Sequence, residues 1–136
     1  MKLTNQVCSL AQAKKLKQLG INQESLYCFF PNNINVEKDG FELVTIEEAR
    51  SFRGDWFEER IHAFTVAELC AMLLCDAAEK SGYNTKWSKG EFHILYQGAT
   101  IHRFSYQAEA LAFLLTLLIE KGFTMPEMCN ERLLNA

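Results

Sequence analysis

The chain has 136 residues, of which 49% are hydrophobic, 12% aromatic and 23% charged, and its formal net charge is −3. This length suffices to bury the core of one domain, predicted over residues 1–136, and the composition excludes disordered, collagen-like and fibrous proteins. The slightly acidic balance also excludes a global basic field that would attract nucleic acid.

The first half of the chain shows helical spacing, then two extended runs, then helical spacing again. The predicted elements are a helix over 10–19, strands over 25–30 and 41–43, and short helices over 46–52 and 56–63. Gly20 is expected to end the first helix. His62 then lies on the last short helix, four residues after Glu58, which predicts an ordinary pair on a helix surface.

The second half has the same kind of pattern. The predicted elements are a helix that begins after Thr65 and is ended by Gly82, a hairpin of strands 92–97 and 100–104, a helix over 106–121 and a short helix from about 125. The polar stretch 82–90 is expected to be a loop. Hairpins imply antiparallel pairing, so we expect an α+β fold with an antiparallel sheet of two hairpins and helices packed on it. The order is α-β-β-α-α-β-β-α plus a short C-terminal helix.

Helix starts carry a capping pattern, in which a Ser, Thr or Asp is followed three residues later by Glu or Gln. The matches are Ser9 with Gln12, Thr45 with Glu48, Asp55 with Glu58, Thr65 with Glu68 and Thr124 with Glu127. Beyond the last of these, Met125, Met128, Cys129 and Leu133 form one apolar side of the tail helix. We expect that side to pack against the same chain rather than a second subunit, and the oligomeric state stays open.

The five cysteines are an odd number and contain no C-x-x-C pair, so neither a disulfide framework nor a zinc site is expected. Reduced thiols that act as small apolar side chains indicate a cytoplasmic location. No apolar run approaches the roughly 20 residues of a bilayer span, so no membrane partner is expected. No cofactor is predicted.

His93 and His102 are the candidate ligand residues, although partly exposed histidines with a structural role are the favoured interpretation. In a hairpin that turns at Gly98 they are expected on the same face, close enough to share a ligand. Two imidazoles make only half of a zinc shell, however, and the sequence has no nucleophile elbow, phosphate-binding loop or H-E-x-x-H motif. No catalytic residue is therefore assigned. An enzyme with a dispersed site near the two histidines remains an alternative.

Aromatic side chains at element edges are the remaining indication of a function, and the alternative is that both tryptophans cover the edge of the core. Trp56 and Phe57 project about 100° apart on a short helix, and Trp87 lies in the polar stretch. Exposed aromatic residues are typical interface anchors, so these three residues are the candidate interface. The sequence favours a non-enzymatic protein-binding or adaptor domain, whose protein partner it does not identify.

Nucleic-acid association is the alternative, although it is not favoured. Its candidate contacts are Lys14, Lys15 and Lys17 on the first helix and Lys86 and Lys89 in the polar stretch. A set of lysines on one helix is more often a solvated surface.

Three helix patterns carry a resemblance to known proteins. They are Ser-Leu-x-Gln-Ala-Lys-Lys-Leu-Lys-x-Leu-Gly-Ile at 9–21, Ala-Phe-Thr-Val-Ala-Glu-Leu-x-x-Met-Leu at 63–73 and Leu-Ile-Glu-Lys-Gly at 118–122. Together they resemble a group of small uncharacterised bacterial proteins associated with prophages or mobile elements. The resemblance implies an accessory or adaptor role and assigns no functional residue.

Overall fold

A computed structural model describes residues 3–31, 41–51, 60–73 and 80–136. It confirms the α+β class, with five helices and six antiparallel strands in the described ranges. The helices are α1 (Leu10–Gln18), α2 (Ile46–Ser51), α3 (Val66–Met72), α4 (Gln107–Glu120) and α5 (Pro126–Leu134). The strands are β1 (Tyr27–Pro31), β2 (Phe41–Thr45), β3 (Ile61–His62), β4 (Tyr83–Ser88), β5 (Glu91–Tyr96) and β6 (Ala99–Phe104). A short 3-10 helix, Leu3–Asn5, precedes α1.

The strands form two separate three-stranded sheets, with the orders β2-β1-β3 and β4-β5-β6. In the first sheet, β1 pairs along its whole length with β2 and through Cys28 and Phe29 with β3. The expected helix over 56–63 is therefore wrong at its end, because Ile61 and His62 are extended. Its earlier part, with Trp56, Phe57 and Glu58, lies outside the described residues.

The expected loop over 82–90 is also wrong, because its middle forms β4. Tyr83 and Thr85 are half-buried while Asn84 and Lys86 are exposed, which is the alternation of a strand with one face on a core. The tight turn at Lys89 and Gly90 has positive φ angles of 53° and 79°, as a two-residue hairpin turn requires.

The predicted hairpin of β5 and β6 is confirmed, with Gln97 and Gly98 in its turn at φ angles of 50° and 85°. The register is not regular, however. Leu95 pairs with Thr100 and Ile94 with His102, so Ile101 is an extra residue in β6. A bulge of this kind reverses the face on which the following side chains lie.

Side-chain caps form at three of the predicted helix starts. Ser9 accepts from the Gln12 N–H, and Thr45 accepts from the Glu48 N–H. At Thr65 the box is complete, because the Glu68 carboxylate also accepts from the Thr65 N–H at 2.9 Å. The expected box at Thr124 is wrong, since α5 begins after Met125 with no side-chain cap. The box at Asp55 lies outside the described residues.

The helix after Thr65 is shorter than its apolar spacing predicts. It ends at Met72, and Leu73 has an extended backbone. The backbone carbonyl of Met72 accepts a hydrogen bond from the Arg132 side chain of α5, so this side chain caps the end of α3. The remainder of the predicted helix, at 74–79, lies outside the described residues.

The largest buried cluster draws on α1, α3, α4 and α5, and it includes Leu16, Phe64, Leu69, Leu115 and Cys129. A second cluster packs Ala110, Leu114 and Leu118 of α4 on Ile94 of the β4-β5-β6 sheet. The long helix α4 therefore joins the helical layer to this sheet. Within the described ranges, no helix has the length and apolar character needed to cross a membrane.

The tail helix packs on its own chain, chiefly against α3, and Cys129 is fully buried. Its apolar side is narrower than expected, because Met125 and Met128 are 58% and 47% exposed. Gly20 approaches this helix closely. It has a φ of 103°, and a Cβ at this position would lie 3.2 Å from the Pro126 Cβ, so only glycine fits without strain.

Candidate functional site

An open groove of about 580 Å³ lies beside the β4-β5-β6 sheet. Five parts of the chain contribute to it: the 3-10 helix, the start of β1, the start of α3, the β4–β5 hairpin end and the start of α4. The lining residues are Leu3, Asn5, Gln6, Tyr27, Thr65, Val66, Ala67, Trp87, Phe92, Ser105, Tyr106 and Gln107. We call this surface the aromatic groove.

Four aromatic rings contribute to the aromatic groove. Trp87 and Phe92 are paired across β4 and β5, and their ring centroids lie 4.5 Å apart. Trp87 is 58% exposed and Tyr106 is 39% exposed, whereas Phe92 and Tyr27 are half-buried. The rings of Trp87 and Tyr106 are therefore accessible in the groove, whereas the other two are packed partly into the fold. This arrangement favours the burial of an apolar side chain of a ligand.

None of the twelve lining residues that the structure describes is charged, and Asn5 and Gln107 carry amide groups that can donate and accept hydrogen bonds. The start of α4 adds backbone donors. Tyr106, its N-cap residue, makes no side-chain bond to the first turn, so the N–H groups there need an acceptor from solvent or from a ligand. The groove thus combines apolar contact with neutral hydrogen bonding.

Trp87 is the one sequence-predicted interface residue that can be located, since Trp56 and Phe57 lie outside the described residues. Sequence reasoning missed the other aromatic contributors. The sequence predicts a strand at Tyr27 and a helix start at Tyr106, and no local pattern links these two distant residues. Only the packing of α3 and α4 beside the hairpin brings them together.

The two candidate histidines do not share a face. Because Ile101 is bulged, His93 pairs with Arg103 and His102 pairs with Ile94. His102 stacks on Phe104 with centroids 5.0 Å apart and also contacts the ring of Phe113 on α4. The expectation that both histidines project from one face is therefore wrong.

His93 lies on the opposite face of the same sheet. Its Nδ1 is 3.3 Å from the Thr100 Oγ1. In the described part of the chain, no group of three or more His, Cys, Asp or Glu residues is arranged to hold a metal ion.

The three lysines of α1 are directed to different contacts. Lys14 lies over the Phe41 ring at 5.0 Å, Lys15 pairs with Glu120 at 3.1 Å, and Lys17 donates to the Arg60 carbonyl at 3.1 Å. Lys86 is instead exposed on the outer face of the second sheet, and Lys89 is exposed in the following turn. The five candidate lysines therefore do not form one surface.

The described cysteines Cys8, Cys28, Cys70 and Cys129 are free thiols. Burial raises the pKa of Cys8 to about 12 and that of Cys28 to about 11. A thiol with so high a pKa is protonated at neutral pH and is a poor nucleophile. These two cysteines behave as small apolar side chains of the core.

Comparisons with known proteins find no relative of the chain. No family model, no curated protein and no solved structure matches the chain.

Proposed function

We propose that the chain is a non-enzymatic protein-binding or adaptor domain, and that the aromatic groove binds an uncharged, apolar segment of its protein partner. The observation that carries this proposal is the accessible pair Trp87 and Tyr106 in a groove whose described lining residues are all uncharged. Aromatic side chains at the centre of an interface supply most of its binding energy.

The chemistry of the lining favours a peptide over other uncharged ligands. An apolar side chain of the peptide would replace water against Trp87 and Phe92. Peptide carbonyl groups would accept from the first-turn N–H groups of α4, which Tyr106 leaves without a side-chain cap. A charged peptide side chain would find no opposite charge among the lining residues, so its desolvation would be uncompensated.

The resemblance to proteins associated with prophages or mobile elements supports an accessory role of this kind. The free thiols also support a reducing, cytoplasmic location. An enzyme with a site near His93 and His102 has less support, because these residues lie on opposite faces of the sheet.

A selection from a random peptide library displayed on phage tests the proposal. We expect purified protein to enrich peptides that contain aromatic or large aliphatic residues and no charge in the contact segment. The substitution Trp87→Ala should weaken their binding by about tenfold or more, because it removes an interface anchor.

The matched control is Ile101→Ala, which changes another exposed apolar residue of the same sheet, 47% exposed and outside the groove lining. Its affinity for the selected peptides should stay unchanged. Selection of charged peptides, or equal losses in the two variants, would refute the proposed occupant.

Nucleic-acid binding is a second candidate, supported by one observation. Lys86, His93 and Arg103 are cross-strand neighbours on the outer face of the β4-β5-β6 sheet, and Lys86 and Arg103 are exposed. Two cations, one on each outer strand of a sheet face, can contact a phosphate backbone. Fluorescence anisotropy at low salt tests it, because binding of single-stranded RNA or DNA should fall in the Lys86→Gln variant. The absence of binding at micromolar protein would exclude it.

A further inference from the structure

A second pocket, distinct from the aromatic groove, lies between the end of α1, the loop that follows it and β3. Its volume is about 380 Å³, which is within the range of small-molecule sites. Its chemistry differs from that of the groove, because Lys17, Arg60 and His62 are among the lining residues and none of the eight lining residues in the described ranges is acidic. Ala13, Ile21 and Phe64 provide an apolar wall.

The hydrogen bonds of the pocket hold its donors in place. The Lys17 Nζ donates to the Arg60 carbonyl at 3.1 Å, which fixes the ammonium beside β3 and leaves two of its N–H groups for other acceptors. His62 accepts from the Ser25 N–H through Nδ1 at 3.3 Å. In the neutral imidazole the proton is then on Nε2, so the ring keeps a donor.

Two cations of the pocket lining act on the imidazole of His62. Burial lowers the pKa of His62 to about 4, and the positive charges of Arg60 and Lys17 add to this effect. Both cations are therefore close enough to the imidazole to oppose its protonation. A bound anion would reverse that effect, since it would neutralise the field of the two cations.

We propose that this pocket binds a small organic anion. Its phosphate or carboxylate group lies against Lys17, Arg60 and His62, and its apolar part contacts the wall formed by Ala13, Ile21 and Phe64. A cation pair with an adjacent neutral donor suits either oxyanion, because both accept several charge-assisted hydrogen bonds. The site is independent of the aromatic groove, so neither proposal depends on the other.

Titration of the full chain with three probes, followed by NMR in a buffer free of phosphate and carboxylate, tests the proposal. Phenyl phosphate and phenylacetate represent the two anions, and phenol is the neutral analogue. We expect saturable shifts of the His62 and Phe64 resonances with at least one anion and none with phenol at equal concentration. The anion that binds more tightly identifies the head group.

Two further measurements separate a site from weak general attraction. The bound anion should raise the pKa of His62 by about one unit or more. The substitution Lys17→Gln should weaken binding by about tenfold, whereas Lys15→Gln, on the same helix but paired with Glu120, should leave it unchanged. Equal binding of phenol, equal effects of the two substitutions, or no saturable shift with either anion would overturn the proposal.

Discussion

Arg132 of α5 donates from both Nε and Nη2 to the backbone carbonyl of Met72, at 2.9 and 2.6 Å. The same Nη2 donates to the Thr124 Oγ1 at 3.1 Å. One guanidinium thus joins the end of α3 to the loop before α5. This contact explains why the tail helix, too short to be stable alone in water, has a fixed position on the core.

Replacement of Arg132 by Met should destabilise the fold. The variant keeps much of the side-chain length but leaves the Met72 carbonyl without this donor, so we expect a loss of about 2 kcal/mol in the free energy of unfolding. Urea denaturation measures it. Arg103→Met, at an exposed position of β6, is the control and should change stability by less than about 0.5 kcal/mol. Similar losses in both variants would contradict this role of Arg132.

Deletion of residues 124–136 should lower the melting temperature without changing the oligomeric state. The tail contributes the fully buried Cys129 to the main core, so its removal exposes apolar surface of α3 and α4. Calorimetry and sedimentation velocity measure the two properties. A truncated chain that kept its stability but changed from dimer to monomer would show that α5 is an assembly element.

The Glu68 carboxylate holds two elements together. Its Oε1 accepts from the Thr65 N–H at 2.9 Å and the Ser25 Oγ at 2.7 Å, while its Oε2 accepts from the Leu26 N–H at 3.1 Å. In Glu68→Gln, the amide nitrogen would replace one acceptor oxygen, so we expect the free energy of unfolding to fall by about 1–3 kcal/mol. Urea denaturation measures this change.

The matched substitution is Glu48→Gln, at the corresponding position of the first turn of α2, which is exposed. Among the hydrogen bonds described, the Glu48 carboxylate accepts only from the Thr45 hydroxyl. We expect Glu48→Gln to lower the free energy of unfolding by less than about 1 kcal/mol. A larger loss of stability at Glu48 than at Glu68 would contradict the importance of the contacts that Glu68 makes with Ser25 and Leu26.

The pKa of His62 predicts how stability depends on pH. Since it is lowered from 6.5 to about 4 in the folded chain, the unfolded chain binds more protons between these pH values. The free energy of unfolding should therefore fall as pH decreases from 6.5 to 4, by an amount on the order of 2 kcal/mol after allowance for partial exposure. Denaturation across this range, in buffers without small organic anions, measures it.

The variant His62→Asn should lack this part of the pH dependence. Its Oδ1 can still accept from the Ser25 N–H, but the side chain does not titrate. Carboxylates titrate in the same pH range in both proteins, so the difference between them isolates His62. Parallel stability curves for the two proteins would contradict the lowered pKa.

Thiol reactivity should distinguish the described cysteines. Cys70 is exposed on α3, whereas Cys8, Cys28 and Cys129 are buried. Under native conditions a maleimide should label Cys70 well before these three, even though desolvation raises the pKa of Cys70 as well. Peptide mapping by mass spectrometry measures the order, and faster labelling of Cys28 than Cys70 would contradict it.

Much of the fold is predictable from local patterns because its helices and hairpins are local. Ser9, Thr65 and Gly98 fulfil the capping and turn functions that their residue types indicate. The errors occur where tertiary contacts override the pattern. Pairing with β1 makes Ile61 and His62 extended, although their spacing fits a helix.

The candidate sites were harder to predict, for two physical reasons. A bulge at Ile101 moves His102 to the other face of the sheet, and no residue type in β6 predicts this bulge. The groove and the pocket are each assembled from residues far apart in the chain, such as Tyr27 with Tyr106 and Lys17 with His62. Periodicity within one element carries no information on such neighbours.

NMR mapping of a selected peptide on the isotope-labelled protein tests whether the aromatic groove is the peptide site. We expect the largest shifts at the Trp87 indole N–H and at the backbone amides of Thr65 and Gln107, while Lys86 and Arg103 on the outer sheet face are unaffected. Shifts confined to the outer face, with the Trp87 indole unchanged at saturation, would contradict it.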